Sequence, residues 1–67
     1  MAKIPMNAAR VAAGFTQEEL AKKLGVSRTT VLHIENGKTE VKPVYLYAFC
    51  QVTGFSEDDI LLPKKST

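Results

Sequence analysis

Gly25 stands where two short amphipathic segments meet, and each segment carries its own start signal. Thr16 opens the first, with Glu19 three residues on, a spacing at which each side chain satisfies a free backbone N–H of the other residue. Phe15 before the cap and Leu20 beyond it are placed to close a hydrophobic staple. Ser27 caps the second segment with Val26 and Val31 as its staple, and Asn36-Gly37 ends it. The chain must turn sharply between the two helices, and only a residue without a Cβ does so freely. Helices joined this tightly have to cross. Leu20, Ala21 and Leu24 then face inward from the first and Val31 and Ile34 from the second. Val26 plugs the corner, and Ala21 is small where the helices approach closely.

Taken together, Gln17, Leu20, Ala21, Leu24, Gly25, Val26, Val31 and Ile34 resemble the helix-turn-helix of the phage repressor and Cro-like (XRE-type) family of DNA-binding regulators. Eight positions agree in type and spacing, which is far more specific than a lone short motif. The resemblance runs from about Ile4 to Pro63. Its opening Ala-Ala-Arg-Val-x-Ala-Gly and closing Ser-Glu-Asp-Asp-Ile-x-Leu-Pro are similar to small stand-alone regulators from phages and prophages of low-GC Gram-positive bacteria. It implies an all-α fold, a five-helix orthogonal bundle of the lambda-repressor-like type. The expected organisation is one DNA-binding domain over residues 1–67, with the motif at 16–36 and a flexible tail at 64–67.

The 67 residues allow one domain, which buries only about 60% of its chain surface, so modest stability is expected. No long apolar run and no signal-peptide core are present, so a cytoplasmic location without membrane contact is expected. With no further domain expected, regulation should come through concentration, oligomerisation or a second regulatory protein. Cys50 lacks a disulfide partner and reads as a buried small hydrophobe, and no metal or other cofactor is implied. An enzyme is rejected, since His33 is the only histidine and forms no nucleophile and base pair with Cys50. Net charge is only +2, so distribution matters more than total. If the domain binds a polyanion, the acidic run Glu57-Asp58-Asp59 must point away from it.

In chain order, residues 1 to 3 read as a short arm. Pro5 suits the first turn of a helix, with Ile4, Ala8, Val11 and Ala12 as its apolar face and Gly14 as its end. Arg10 lies off that face, and its residues leave two readings open: a solvated charge, or a partner for Glu35, which falls beside the Val31 and Ile34 stripe. The resemblance favours the second, because family members commonly join such an Arg and Glu in a partly buried ion pair. In the first motif helix Glu18 precedes Lys22, and Glu19 precedes Lys23, by the four residues that favour helical ion pairs. That accounts for both lysines without DNA.

Gln17 sits in the first helical turn, where unpaired N–H groups and the positive helix end favour phosphate. Its family counterpart contacts the DNA backbone and can brace a base-reading side chain. The second motif helix turns Thr29, His33 and Asn36 outward, with Arg28 and Leu32 at the edges of that arc. It begins Arg28-Thr29-Thr30 without an acid, giving up about 0.3–1 kcal/mol of dipole stabilisation per missing carboxylate. An acid there would repel phosphate. Arg28 suits the paired acceptors of guanine, and Thr29 a thymine methyl or a hydrogen bond. The resemblance implies that Ser27, Arg28, Thr29 and His33 face the major groove. It also implies that Asn36, Lys38 and the free N–H groups after Gly37 form a second phosphate clamp. Leu32 departs from the family pattern, being large and apolar.

Residues 38–42 read as a loop, and Pro43 as the start of a helix through about Val52 with Leu46, Phe49 and Cys50 as its core stripe. Thr53 occupies a place where relatives more often carry a large apolar residue. Val44, Tyr45, Tyr47, Ala48 and Val52 leave that helix almost no polar face, so part of it is expected to meet a second copy. Phe55 and Ser56 start a last helix with Asp59 and Ile60 in the capping and staple positions, and no strand is expected. The function expected is sequence-specific binding of double-stranded DNA, most simply as a homodimeric repressor on an inverted-repeat operator. The alternative is a protein-binding module on the same fold, an antitoxin or a modulator of another repressor.

Overall fold

The computed structural model describes residues 3–63, so the expected tail at 64–67 and the first two residues of the arm lie outside the described residues. Helix α1 spans Met6–Ala12, α2 Gln17–Leu24, α3 Arg28–Glu35 and α4 Pro43–Thr53. The expected fifth helix is only a single 3-10 turn at Glu57–Asp59. Asp59 Oδ2 accepts from both the N–H and the hydroxyl of Ser56, at 3.3 and 3.0 Å, and this ties off one turn. The chain then leaves in an extended conformation, and two strands form where none was expected: β1, Ile4–Pro5, pairs in parallel with β2, Ile60–Leu61. Proline favours the first of these, since the residue before it is pushed out of the helical region and Pro5 follows Ile4.

That pairing resets the phase of α1. Met6 and Ala9 are its buried residues, whereas the expected face of Ala8, Val11 and Ala12 is turned to solvent, Val11 being 64% exposed. In a helix this rich in alanine, spacing supports either stripe. The anchored strand before it selects the one containing Met6.

Elsewhere local rules and packing agree. Thr16 N–H donates to Glu19 Oε1 at 2.9 Å and Glu19 N–H to Thr16 Oγ1 at 3.1 Å, the reciprocal box. The Thr16 backbone bond is the main cause holding the Glu19 carboxyl below its usual range. This use of Glu19 displaces the expected Glu19–Lys23 pair, whereas Lys22 does approach Glu18, at 3.9 Å on the surface. Helix α2 ends on Gly25 at φ 73°, where its N–H reaches the Lys22 carbonyl and the Val26 N–H reaches that of Ala21. This is the 6→1 and 5→2 pattern that requires a left-handed residue, and a side chain there would strain the turn between α2 and α3.

The core is Met6, Ala9, Leu20, Ala21, Val31, Ile34, Phe49, Cys50 and Ile60. Burial, with the charges of Glu57 and Asp59 adding to it, pushes the Cys50 thiol up. Thr53 satisfies its hydroxyl by donating to the Phe49 carbonyl at 2.9 Å, so a polar residue is accommodated at the end of α4. Tyr45 stacks on Phe49 with ring centroids 6.4 Å apart. Burial, aided by Glu35 and opposed by Arg10, pushes the Tyr45 phenol up to about 12.

The unfolded chain ionises such a phenol near 10, so its contribution is complete below that pH and is lost as pH rises from about 10 to about 12. Tyr45→Phe is expected to flatten this part of the alkaline destabilisation, read from denaturant midpoints across that window. Equal slopes for the two proteins would remove Tyr45 from the account.

Candidate nucleic-acid interface

The start of α2 and the start of α3 lie on either side of an open groove lined by Arg10, Thr16, Gln17, Glu18 and Arg28. Both helix beginnings carry a positive dipole end, which attracts phosphate; at α2 the Glu18 carboxylate lining the groove opposes that attraction, and at α3 the first turn holds no acid. A polar network beneath the groove ties the start of α2 to α1 and to the end of α3. Arg10 Nε donates to Glu35 Oε2 at 2.7 Å, and Arg10 Nη2 reaches Glu35 Oε1 at 3.4 Å. Gln17 Nε2 donates to the same Oε1 at 3.0 Å, and Arg10 Nη1 donates to the Phe15 carbonyl at 2.9 Å.

Four side-chain bonds therefore lock α1, the loop before α2, α2 itself and the end of α3 to one another. The Arg10 and Glu35 side chains are only 13% and 7% exposed. No buried side-chain N or O is left without a partner among the described residues.

Gln17 is accordingly half-buried and oriented by Glu35 through its amide nitrogen. Sequence reasoning took Gln17 for a phosphate contact and missed this anchor. The one clue was that Glu35 sits beside an apolar stripe, which demands partners. Glu18 was also missed as part of the groove, because its spacing to Lys22 explained it locally.

On α3, Arg28 and Thr29 are exposed and His33 and Leu32 half-buried. The first turn holds no acid. Ser27 is committed to the helix start: its Oγ accepts from the Thr30 N–H at 3.1 Å and lies 3.0 Å from the Thr30 hydroxyl. Thr30 is thus turned toward Ser27 instead of outward.

At the other end, the N–H groups of Gly37 and Lys38 donate to the carbonyls of Ile34 and His33, at 3.2 and 2.9 Å. Closing α3 therefore uses the first of the N–H groups expected to be free after Gly37, that of Lys38. Asn36 and Lys38 remain exposed through their side chains.

On α4, Val44 and Tyr47 are exposed and Ala48 is half-buried. Tyr45 and Val52, expected with them on a partner surface, pack instead against the core. The acidic turn Glu57–Asp59 follows the far end of α4. Among the described residues no group of His, Cys, Asp and Glu is arranged to hold a metal, and no helix is long and apolar enough to cross a membrane.

A family model described as helix-turn-helix matches residues 6–60. Two curated archaeal proteins are similar to this chain. One, an uncharacterized HTH-type transcriptional regulator of Methanocaldococcus jannaschii, is 43% identical over 47 residues, 70% of this chain and 71% of that protein. The other, of the same description from Archaeoglobus fulgidus, is 39% identical over 49 residues, 73% of this chain and 70% of that protein.

Proposed function

Because this chain belongs to the helix-turn-helix family of DNA-binding transcription regulators, we propose that it reads a specific duplex sequence through α3 and represses transcription as a homodimer on an inverted repeat. The observation that carries the reading is the acid-free, exposed start of α3, fixed by the Ser27 cap and the Gly25 turn, beside the start of α2, which the Arg10–Glu35–Gln17 network ties to the end of α3.

Arg28 reaches for the two acceptors of a guanine edge, and Thr29 for a thymine methyl. His33, one turn further along, extends the read sequence. Ser27 contributes chiefly by capping α3 and fixing where Arg28 emerges. Gln17, its amide nitrogen oriented by one N–H donated to Glu35, donates the second N–H of that nitrogen to a backbone phosphate together with the N–H groups of the α2 start. Asn36 and Lys38 engage a second phosphate at the far end of α3. Two copies related by a two-fold axis then read half-sites about one helical turn apart.

Selection of a randomised duplex library at roughly physiological salt, where nonspecific binding fades, tests this directly. An inverted repeat is expected. A single unpaired site would keep the DNA function and sink the homodimer, while no enrichment would favour a module that binds another regulator through the exposed Val44 and Tyr47. Arg28→Ala is expected to cost about 1–3 kcal/mol on the selected site and to relax one base position. Gln17→Ala should weaken all sequences more evenly. Competition titrations against single-base variants of the site separate the two patterns, and uniform losses for Arg28→Ala would take it out of the base-reading set.

A further inference from the structure

The exposed Val44, Tyr47 and Gln51 and the half-buried Ala48 occupy four positions of α4 that helical spacing puts in one stripe. Val44 is 74% exposed and Tyr47 61% exposed, an unusual outlay of apolar surface for one short helix. The charges next to this helix run against its dipole, with Glu40 partly offsetting Lys42 at the N-terminal end. No charged residue lies between Pro43 and Thr53, Lys42 occupies the N-cap position without a capping side chain, and the acids Glu57, Asp58 and Asp59 follow the C-terminal end. Helix α2 has the ordinary arrangement, with Glu18 and Glu19 in its first turn and Lys22 and Lys23 in its last. Taken alone, α4 therefore has a cation at its positive end and carboxylates beyond its negative one.

An antiparallel copy of the same helix corrects both ends together. A parallel copy would set like charges side by side, and an uncharged partner would correct neither end. We propose that α4 packs antiparallel against α4 of a second copy, with the two-fold axis near Tyr47 and Ala48. Lys42 of each chain then meets the Glu57-Asp58 turn of the other.

This rests on the homodimer reading above and specifies its surface. Symmetry makes every pair occur twice, so two cation-carboxylate contacts flank a centre of Val44, Tyr47 and Ala48. The interface is small, with four side chains a side against about 20–30 residues in a standard interface. Association is therefore weak without DNA, and the operator supplies the rest by holding both copies.

The test is the self-association of the DNA-free protein, followed by sedimentation equilibrium at low salt, with folding of each variant checked by circular dichroism. Wild type is expected to form a concentration-dependent dimer that added salt weakens. Lys42→Glu alone and the pair Glu57→Lys with Asp58→Lys are each expected to weaken association about tenfold, since two contacts become repulsive. All three changes together should restore most of it. Reversals without effect, no recovery in the combined variant, or a monomer at every concentration would overturn the α4 pairing. Library selection with the wild type distinguishes the two failures, because an inverted repeat would leave the homodimer reading standing on a different surface.

Discussion

Glu35→Ala is expected to destabilise the fold by about 3–5 kcal/mol, because it leaves the guanidinium of Arg10 buried with no carboxylate to meet it. The size follows from the geometry: a 2.7 Å bond between side chains only 13% and 7% exposed. A domain of 67 residues has about 3–10 kcal/mol in total, so the variant should lose about a third or more of its stability.

Replacing both partners by apolar residues of similar volume, Arg10→Met with Glu35→Leu, should recover much of the stability, since the buried charge and its desolvation cost disappear together. DNA affinity should not return in proportion. Gln17 would lack the acceptor that now orients it, and the start of α2 would lose its tether to the end of α3. Thermal denaturation and operator titration of the three proteins separate these contributions. A double variant as unstable as Glu35→Ala would show that the loss did not come from a stranded charge, and full recovery of binding would take Gln17 out of the phosphate contacts.

Phe49→Ala is expected to cost a further sum of the same order, about 3–5 kcal/mol. Phe49 is 1% exposed and is among the largest side chains that are fully buried, so its removal opens a cavity where α4 meets the rest of the core. It also deprives Tyr45 of the ring on which it stacks. The neighbouring helices are held by the motif turn and by the Arg10–Glu35 bonds, which limits how far they can collapse into the space. Phe49→Leu, which refills most of the volume, should restore the greater part in urea unfolding. A loss below about 1 kcal/mol for the alanine variant would mean that the site closes up, and that α4 is less firmly docked than its burial implies.

The motif was legible because its information is local. Thr16 with Glu19, Ser27 with Thr30, and Gly25 between them act within a turn of helix, where backbone sterics and hydrogen-bond reach leave few alternatives. Arg10 with Glu35 was legible for a different reason. An acid beside the Val31 and Ile34 stripe has to find a cation, but its own neighbourhood could not say which, and only resemblance to the family pointed to Arg10. Misreadings arose where two local explanations were equally good. Glu19 had a choice of Thr16 and Lys23 and took the capping bonds, because those also satisfy a backbone donor that would otherwise stay unpaired. The N–H of Lys38, the first after Gly37, looked free until the end of α3 used it.

By itself, then, the sequence determined the crossing of α2 and α3, their caps, the inward residues Leu20, Ala21, Val31 and Ile34, and the acid-free start of α3. Each depends on dihedral preferences and on contacts a few residues apart. Only the tertiary structure decided which stripe of α1 is buried, whether the acidic segment continues as a helix, and which residues of α4 stay in solvent. Those choices turn on Ile4 meeting Ile60 across nearly the whole chain and on Phe49 and Tyr45 filling space in and against the core. Long-range pairing and volume complementarity have no period along a chain, so a pattern of residue types cannot encode them in any one segment.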